Sequence, residues 1–199
     1  MVERQIVARG VTDARVLAAM SDIPRERFVP REERGRAYED SPLPIGFGQT
    51  ISQPYVVAFM TEALGLQGDE TVLEVGSGCG YQTAMLARLC RRVFAIEYFE
   101  GLASGARRVW KDLGLTNITL RVGDGGPGWP EEAPFDAILA AAAAQSVPTA
   151  WIDQLKVDGK MVLPVGSVSQ TLLLVEKKAD GVQTSDLMAV RFVPLLDAD

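Results

Sequence analysis

Glu74-Val75-Gly76-Ser77-Gly78-Cys79-Gly80 decides the reading of this chain, because it joins the apolar run Thr71 to Val75 to a helical stretch from Tyr81 to Cys90. A glycine-rich turn between a strand and a helix brings backbone close to a ligand. Gly76 and Gly78 permit the tight turn, and Gly80 lets the helix pack near the strand. The spacing is G-x-G-x-G. A nicotinamide dinucleotide fold would place its third glycine at position 81, where this chain has Tyr81. Glu74, near the end of the strand, would repel a pyrophosphate and suits a cationic ligand, held directly or through water.

Two further acids stand in register with it. Glu97 ends the next strand, 21 residues after Gly76, where a carboxylate accepts hydrogen bonds from ribose hydroxyls. Asp124, in Gly123-Asp124-Gly125, follows the strand ending at Val122 and is placed toward an adenine. All three lie at carboxyl ends of strands, where open α/β sheets bind ligands. S-adenosyl-L-methionine meets these constraints, since it carries a sulfonium and an ammonium and no phosphate. The expected cofactor contacts are Glu74, Gly76, Gly78, Gly80, Glu97, Asp124 and Gly125.

Outward from the loop the pattern alternates. Strands are predicted at Thr71 to Val75, Val93 to Glu97, Ile118 to Val122, Phe135 to Ala141 and Lys160 to Pro164, with helices at Tyr81 to Cys90, Leu102 to Leu113 and Trp151 to Leu155. Leu172 to Glu176 and Ala189 to Val193 predict a final antiparallel pair. Such alternation implies an α/β, doubly wound, mostly parallel sheet, the Rossmann-like class I arrangement. Before it, residues 2–23 read as helical with a break at Gly10, Val16, Leu17, Met20 and Ile23 sharing one face. Thr12 or Asp13 can cap the second piece. Residues 41–54, dense in proline and glycine, read as a long loop, and residues 55–66 as a helix. The chain is expected to be a single domain over 1–199, with 1–65 an N-terminal helical and substrate-loop extension and 66–199 the cofactor-binding core.

Composition narrows the chemistry. The chain has 199 residues, a net charge of −6 and no histidine. That removes Ser-His-Asp and Cys-His catalysis, histidine bases and imidazole-ligated zinc. The two cysteines, Cys79 and Cys90, give neither a disulfide framework nor a thiolate zinc site, so no metal is expected. Cys79 reads most simply as a small packed side chain. The acidic balance argues against nucleic acid as a partner. Arg25, Arg27, Arg31, Arg34 and Arg36 interleave with Glu26, Glu32 and Glu33 and read as a solvated face. No signal peptide and no bilayer-spanning run is visible, so a cytoplasmic protein without membrane association, and a monomer, is expected.

Two more stretches carry a resemblance: Leu43-Pro44-Ile45-Gly46-Phe47-Gly48-Gln49-Thr50-Ile51-Ser52-Gln53-Pro54-Tyr55, and Gly123-Asp124-Gly125 followed by Gly128-Trp129-Pro130. With Arg9-Gly10-Val11, Pro164-Val165-Gly166 and Phe192-Val193-Pro194-Leu195, they resemble the protein-L-isoaspartate O-methyltransferases over nearly the whole chain. The Gln49 to Pro54 segment is close to diagnostic of that family, whereas the glycine loop is common to many methyltransferases. The resemblance implies a repair enzyme that methylates the α-carboxylate of L-isoaspartyl residues in damaged proteins and peptides, with S-adenosyl-L-methionine as donor. It places Ser52 at the active site, with Gln49, Thr50, Ile51 and Ser52 around the transferred methyl. The Phe192 to Leu195 backbone is then expected to meet the substrate peptide in extended form.

The chemistry agrees with the missing histidine. A carboxylate with a pKa of about 4 is ionised at neutral pH and needs no base. The work left to the protein is alignment. Ser52 is also placed to cap the helix expected from Tyr55. The chain departs from the family pattern at Ala141, where a threonine is expected within the run Ala140 to Ala144, and at Gly126-Pro127, which replaces a bulkier pair. Two other readings share the cofactor pocket: a methyltransferase for another carboxyl or hydroxyl acceptor, and a cofactor-binding homologue with weak or no turnover.

Overall fold

A computed structural model describes residues 1–196 of the chain. A π-helical turn at Val2–Ile6 and a 3-10 turn at Val7–Arg9 end at Gly10, whose φ of 94° breaks the helix as the sequence implied. Helix α1 (Ala14–Asp22) follows. The Asp13 side chain caps it, accepting from the backbone N–H groups of Arg15 and Val16. Pro24 then imposes an extended step before two 3-10 segments, Arg25–Phe28 and Arg31–Arg36.

The segment 41–54 is not a featureless loop. It forms an antiparallel hairpin of β1 (Leu43–Gly46) and β2 (Gln49–Ile51), with Leu43 paired to Ile51 and Pro44 to Thr50. The two-residue turn places both Phe47 and Gly48 at positive φ, 53° and 70°. That is the backbone a twisted hairpin favours. Helix α2 (Pro54–Leu64) leaves the hairpin with proline in its first turn and ends at Gly65, φ 65°.

Beyond it lie β3 (Thr71–Val75), α3 (Tyr81–Leu89), β4 (Arg92–Glu97), α4 (Glu100–Asp112), β5 (Ile118–Val122), β6 (Phe135–Ala140), α5 (Thr149–Gln154), β7 (Leu155–Val165), β8 (Gln170–Lys178) and β9 (Gly181–Val190). The seven strands β3 to β9 form one sheet in the order β5-β4-β3-β6-β7-β8-β9. The first five in that order are parallel, and β8 and β9 add antiparallel at one end. The last pair differs from the sequence expectation: β9 runs over residues 181–190, and 191–193 lie beyond it. Its exposed polar run is an edge strand, which carries little of the apolar alternation a buried strand shows.

Alternation along the strands feeds two cores. Val72, Val93, Leu139 and Val162 face a cluster shared with α1 to α4, while Leu73, Phe94, Ile138 and Met161 face Trp129 and Trp151 on the other side. The N-terminal stretch does not stand apart, since Ile6, Met20 and Leu43 join the same cluster as Met85 and Leu86. The chain winds outward through β4 to β5 and returns across β3 to β6. The glycine loop therefore sits at the reversal, where a crevice opens at the strand ends.

Candidate active site

The loop after β3 is tied down from beneath. The backbone N–H groups of Gly76 and Ser77 both donate to the Ile96 carbonyl, at 2.9 and 3.1 Å. Glu97 buckles it further: Oε2 accepts from Gly78 N at 2.6 Å and Oε1 from Phe99 N at 3.0 Å. Burial raises the Glu97 pKa, while the N–H groups of Phe99, Gly78 and Tyr98 oppose the rise. Gly78 has φ 55°, and a Cβ there would stand 3.2 Å from Ile45 Cδ1 of the hairpin. The hairpin thus closes over the loop at a distance only glycine allows without a shift.

Glu74 lies under this loop, fully buried. Neither carboxyl oxygen makes a hydrogen bond of normal geometry, and the hydroxyls of Ser77 and Thr83 are likewise unpartnered. Burial pushes the Glu74 carboxyl up to about 8; the Thr83 hydroxyl opposes this and the Glu97 charge adds to it. Cys79 is a neutral thiol at neutral pH, its pKa raised to about 11 by burial, in line with a packing role.

A cleft of about 740 Å³ opens above the loop. Of the residues singled out from sequence, Gln49, Thr50, Ile51, Ser52, Gly76, Gly78, Glu97 and Gly125 line it. Glu74, Gly80 and Asp124 do not reach its wall. Gly80 instead supports the loop: its carbonyl accepts from Trp110 Nε1 at 2.9 Å, and a Cβ there would fall 2.6 Å from the indole. Asp124 turns back on its own loop and accepts from Gly126 N at 2.7 Å. The departure at 126–127 falls away from the cleft, with Gly126 on a separate groove.

Part of the wall lies outside the expected cofactor contacts, and Val193 to Leu195, expected to meet the substrate peptide, belong to it. Tyr98 and Phe99 line the cleft, as do Ala142 and the segment Val193 to Leu196. That segment is held by the alanine run: Ala143 N donates to Val193 O, and Leu195 N to Ala143 O, both at 2.8 Å. Gln170 holds the residue just before it, with Nε2 donating to Phe192 O and Oε1 accepting from Phe192 N. No local pattern around Gln170 signals this, because its partner is 22 residues away.

The fit to S-adenosylmethionine rests on this wall. Among the described residues, Glu97 is its sole charged side chain, and an unpartnered buried carboxyl lies beneath. One carboxylate and no cation in the lining itself, with the Glu74 carboxyl neutral beneath it, suit a positively charged nucleoside and disfavour a phosphate. No group of three metal-ligating side chains occurs among the described residues.

A second groove, about 950 Å³, runs beside the cleft between the hairpin and residues 188–193. Thr50, Ser52, Ala141 and Val193 line both cavities, so the two meet there. Ser52 does not cap α2. Gln53 occupies that position, without a side-chain bond, and Pro54 fills the first turn. Ala141, at the position expected to carry threonine, brings a methyl to the junction.

A family model described as protein-L-isoaspartate(D-aspartate) O-methyltransferase matches residues 1–199. The chain belongs to that family. Similar members include the protein-L-isoaspartate O-methyltransferases of Anaeromyxobacter dehalogenans strain 2CP-C, 58% identical over 94% of this chain and 91% of that one, and of Opitutus terrae, 53% identical over 98% and 84%. A solved protein-L-isoaspartate O-methyltransferase superposes with a TM-score of 0.88 at 31% identity, over 98% of this chain and 65% of that one. A Plasmodium falciparum structure, described as a putative family member in complex with S-adenosyl-L-homocysteine, gives 0.85 at 25% identity, over 98% and 96%. The two solved structures thus share the fold described above. No helix is long and apolar enough to cross a membrane.

Proposed function

We propose that this protein transfers the methyl group of S-adenosylmethionine to the α-carboxylate of L-isoaspartyl residues in damaged proteins and peptides. The observation that carries the reading is the meeting of two cavities at Thr50, Ser52, Ala141 and Val193. One is suited to a cationic nucleoside. The other, bordered by 188–193, is open to an extended peptide.

The bound cofactor supplies a methyl already activated on a sulfonium. The acceptor is a carboxylate, ionised at neutral pH with a pKa of about 4, so no residue has to remove a proton. Ser52 then donates a hydrogen bond that holds one carboxylate oxygen and leaves the other free to attack. Gln49, Thr50 and Ile51 shape the transfer site and exclude water. Gly76, Gly78 and Gly125 give close backbone approach to the nucleoside, and Glu97 accepts from its ribose. Glu74 and Asp124 act through the loops they support, and Gly80 fixes the loop to α4. Alignment of this kind is worth up to about 7–11 kcal/mol of a barrier. We take the enzyme as one domain with residues 1–65 as an extension, working as a cytoplasmic monomer. Sedimentation at assay concentration checks the last point.

A labelled-methyl assay on an isoaspartyl peptide and its normal aspartyl twin tests the function. Base-labile label is expected on the isoaspartyl peptide alone. Ser52→Ala should lower it by roughly 10- to 100-fold, the worth of a hydrogen bond to a charged group. Equal labelling of both peptides would return the site to some other carboxyl or hydroxyl acceptor.

A further inference from the structure

Arg25 was expected on a solvated face with its neighbouring charges. The structure buries it completely, at 0% exposure, in the 3-10 segment that follows α1. Its Nε donates to the Ala37 carbonyl at 2.8 Å and its Nη2 to the Ser52 carbonyl at 2.7 Å. The guanidinium lies over the ring of Tyr81, 5.0 Å from its centroid. Among the described residues no carboxylate pairs with it, and Nη1 has no partner at all. Tyr81 and Ser52 both line the cofactor cleft, so Arg25 braces two of its walls from behind.

We infer that Arg25 is a positioning residue for methyl transfer, locking the Ser52 end of the hairpin against the helix that leaves the glycine loop. The inference rests on the reading of Ser52 as the group that holds the acceptor carboxylate. A buried cation without a counter-charge is a poor device for stability, since apolar side chains of similar volume serve a core as well or better. What the guanidinium offers is a rigid fork. It spans two carbonyls 15 residues apart in sequence while its Cζ lies over an aromatic ring. Lysine has one rotatable ammonium and cannot hold that geometry. When the fork is lost, Ser52 keeps its place in sequence and its hydroxyl but not its fixed position. A displacement near 1 Å at a reacting centre costs on the order of 100-fold in rate.

The test is a double-mutant cycle. Arg25→Lys is made in the wild-type and Ser52→Ala backgrounds, and kcat, peptide KM, the affinity for S-adenosylhomocysteine and the melting temperature are measured. In the wild-type background kcat should fall by roughly 30-fold, within the range misalignment produces, while peptide KM and cofactor-product affinity move less than about threefold. In the Ser52→Ala background the same change should lower kcat by no more than about threefold, because residues acting as a unit are non-additive. Arg25→Gln, which keeps an amide donor without the charge, is read by the same criteria should the lysine variant melt below the assay temperature. Equal kcat losses in both backgrounds, an unchanged kcat, a matching loss of cofactor-product affinity, or failure of both variants to fold would each overturn the inference. A silent Ser52→Ala would instead remove the Ser52 reading itself, and this inference with it.

Discussion

Phe47 stacks on Phe99, ring centroids 5.1 Å apart and planes 26° from parallel, and so fastens the tip of the β1–β2 hairpin to the start of α4. Phe47 is 57% exposed and sits at φ 53°, which a bulky residue adopts only when its surroundings hold it. Those surroundings are Phe99 and Gly101, where an added Cβ would stand 2.5 Å from Phe47 Cζ. The hairpin forms one wall of the cofactor cleft, so the clasp should set how firmly that cleft closes.

Phe47→Ala is therefore expected to weaken S-adenosylhomocysteine binding by roughly three- to tenfold, the worth of an aromatic pair of about 0.5–1.5 kcal/mol. Gly101→Ala approaches the same contact from the other side. It displaces the ring from the first turn of α4, where the propensity gain is smaller than the roughly 1 kcal/mol of a helix interior, so affinity should fall with little change in melting temperature. Calorimetry with thermal melts of both variants checks the pair. Unchanged affinity in both would show that the clasp does not govern the cleft.

Glu74 makes stability depend on pH in a direction unusual for a carboxylate. Its folded pKa, about 8, stands above the ordinary 4.5, so across that interval the folded state holds a proton that the unfolded state has lost. Stability is then highest below about pH 4.5 as far as this group is concerned, and falls as pH rises toward 8. Glu74→Gln removes the dependence. Urea denaturation should show the variant gaining on the wild type by on the order of 1 kcal/mol per pH unit through this window, then levelling off. A constant difference between pH 5 and 8 would mean that Glu74 is ionised in the folded protein.

Two glycines near α4 should respond oppositely to alanine. Gly80 has φ 86° and faces the Trp110 indole at 2.6 Å from an added Cβ, so Gly80→Ala combines left-handed strain with overpacking. The expected loss is about 2–4 kcal/mol. Gly105, inside α4 with nothing within 4 Å, should gain about 0.5–1 kcal/mol as alanine. Chemical denaturation followed by tryptophan fluorescence reads both.

The sheet and the glycine loop were legible because their signals are local and periodic. Strand–glycine–helix at 71–89 and acids at strand ends need no knowledge of distant residues. What escaped was set by partners far along the chain. The hairpin at 43–51 hides under prolines and glycines, and only the Leu43–Ile51 pairing makes its short strands recognisable. Arg25 looked solvated beside Glu26, yet the carbonyls of Ala37 and Ser52 draw it inside. β9 is exposed through 181–186 and polar over 183–186, so only its apolar end was visible in sequence. The resemblance located Ser52, but its position where two cavities meet is a property of the fold.

Gln170 offers a way to disturb the acceptor side separately from the cofactor side. Its amide bonds both backbone groups of Phe192, at 3.1 and 2.6 Å, and it is almost fully buried. Phe192 lines the peptide groove and not the cofactor cleft, whereas Val193 to Leu196 line the cleft and are held independently through Ala143. Gln170→Leu removes both bonds at similar volume, each worth about 0.5–1.5 kcal/mol. Peptide KM should then rise by roughly tenfold, with S-adenosylhomocysteine affinity within about twofold of the wild type. Steady-state kinetics on an isoaspartyl peptide beside calorimetry separates the two quantities. If both moved together, residues 188–196 would have to be regarded as a single strap, and the groove would not be an independent peptide site.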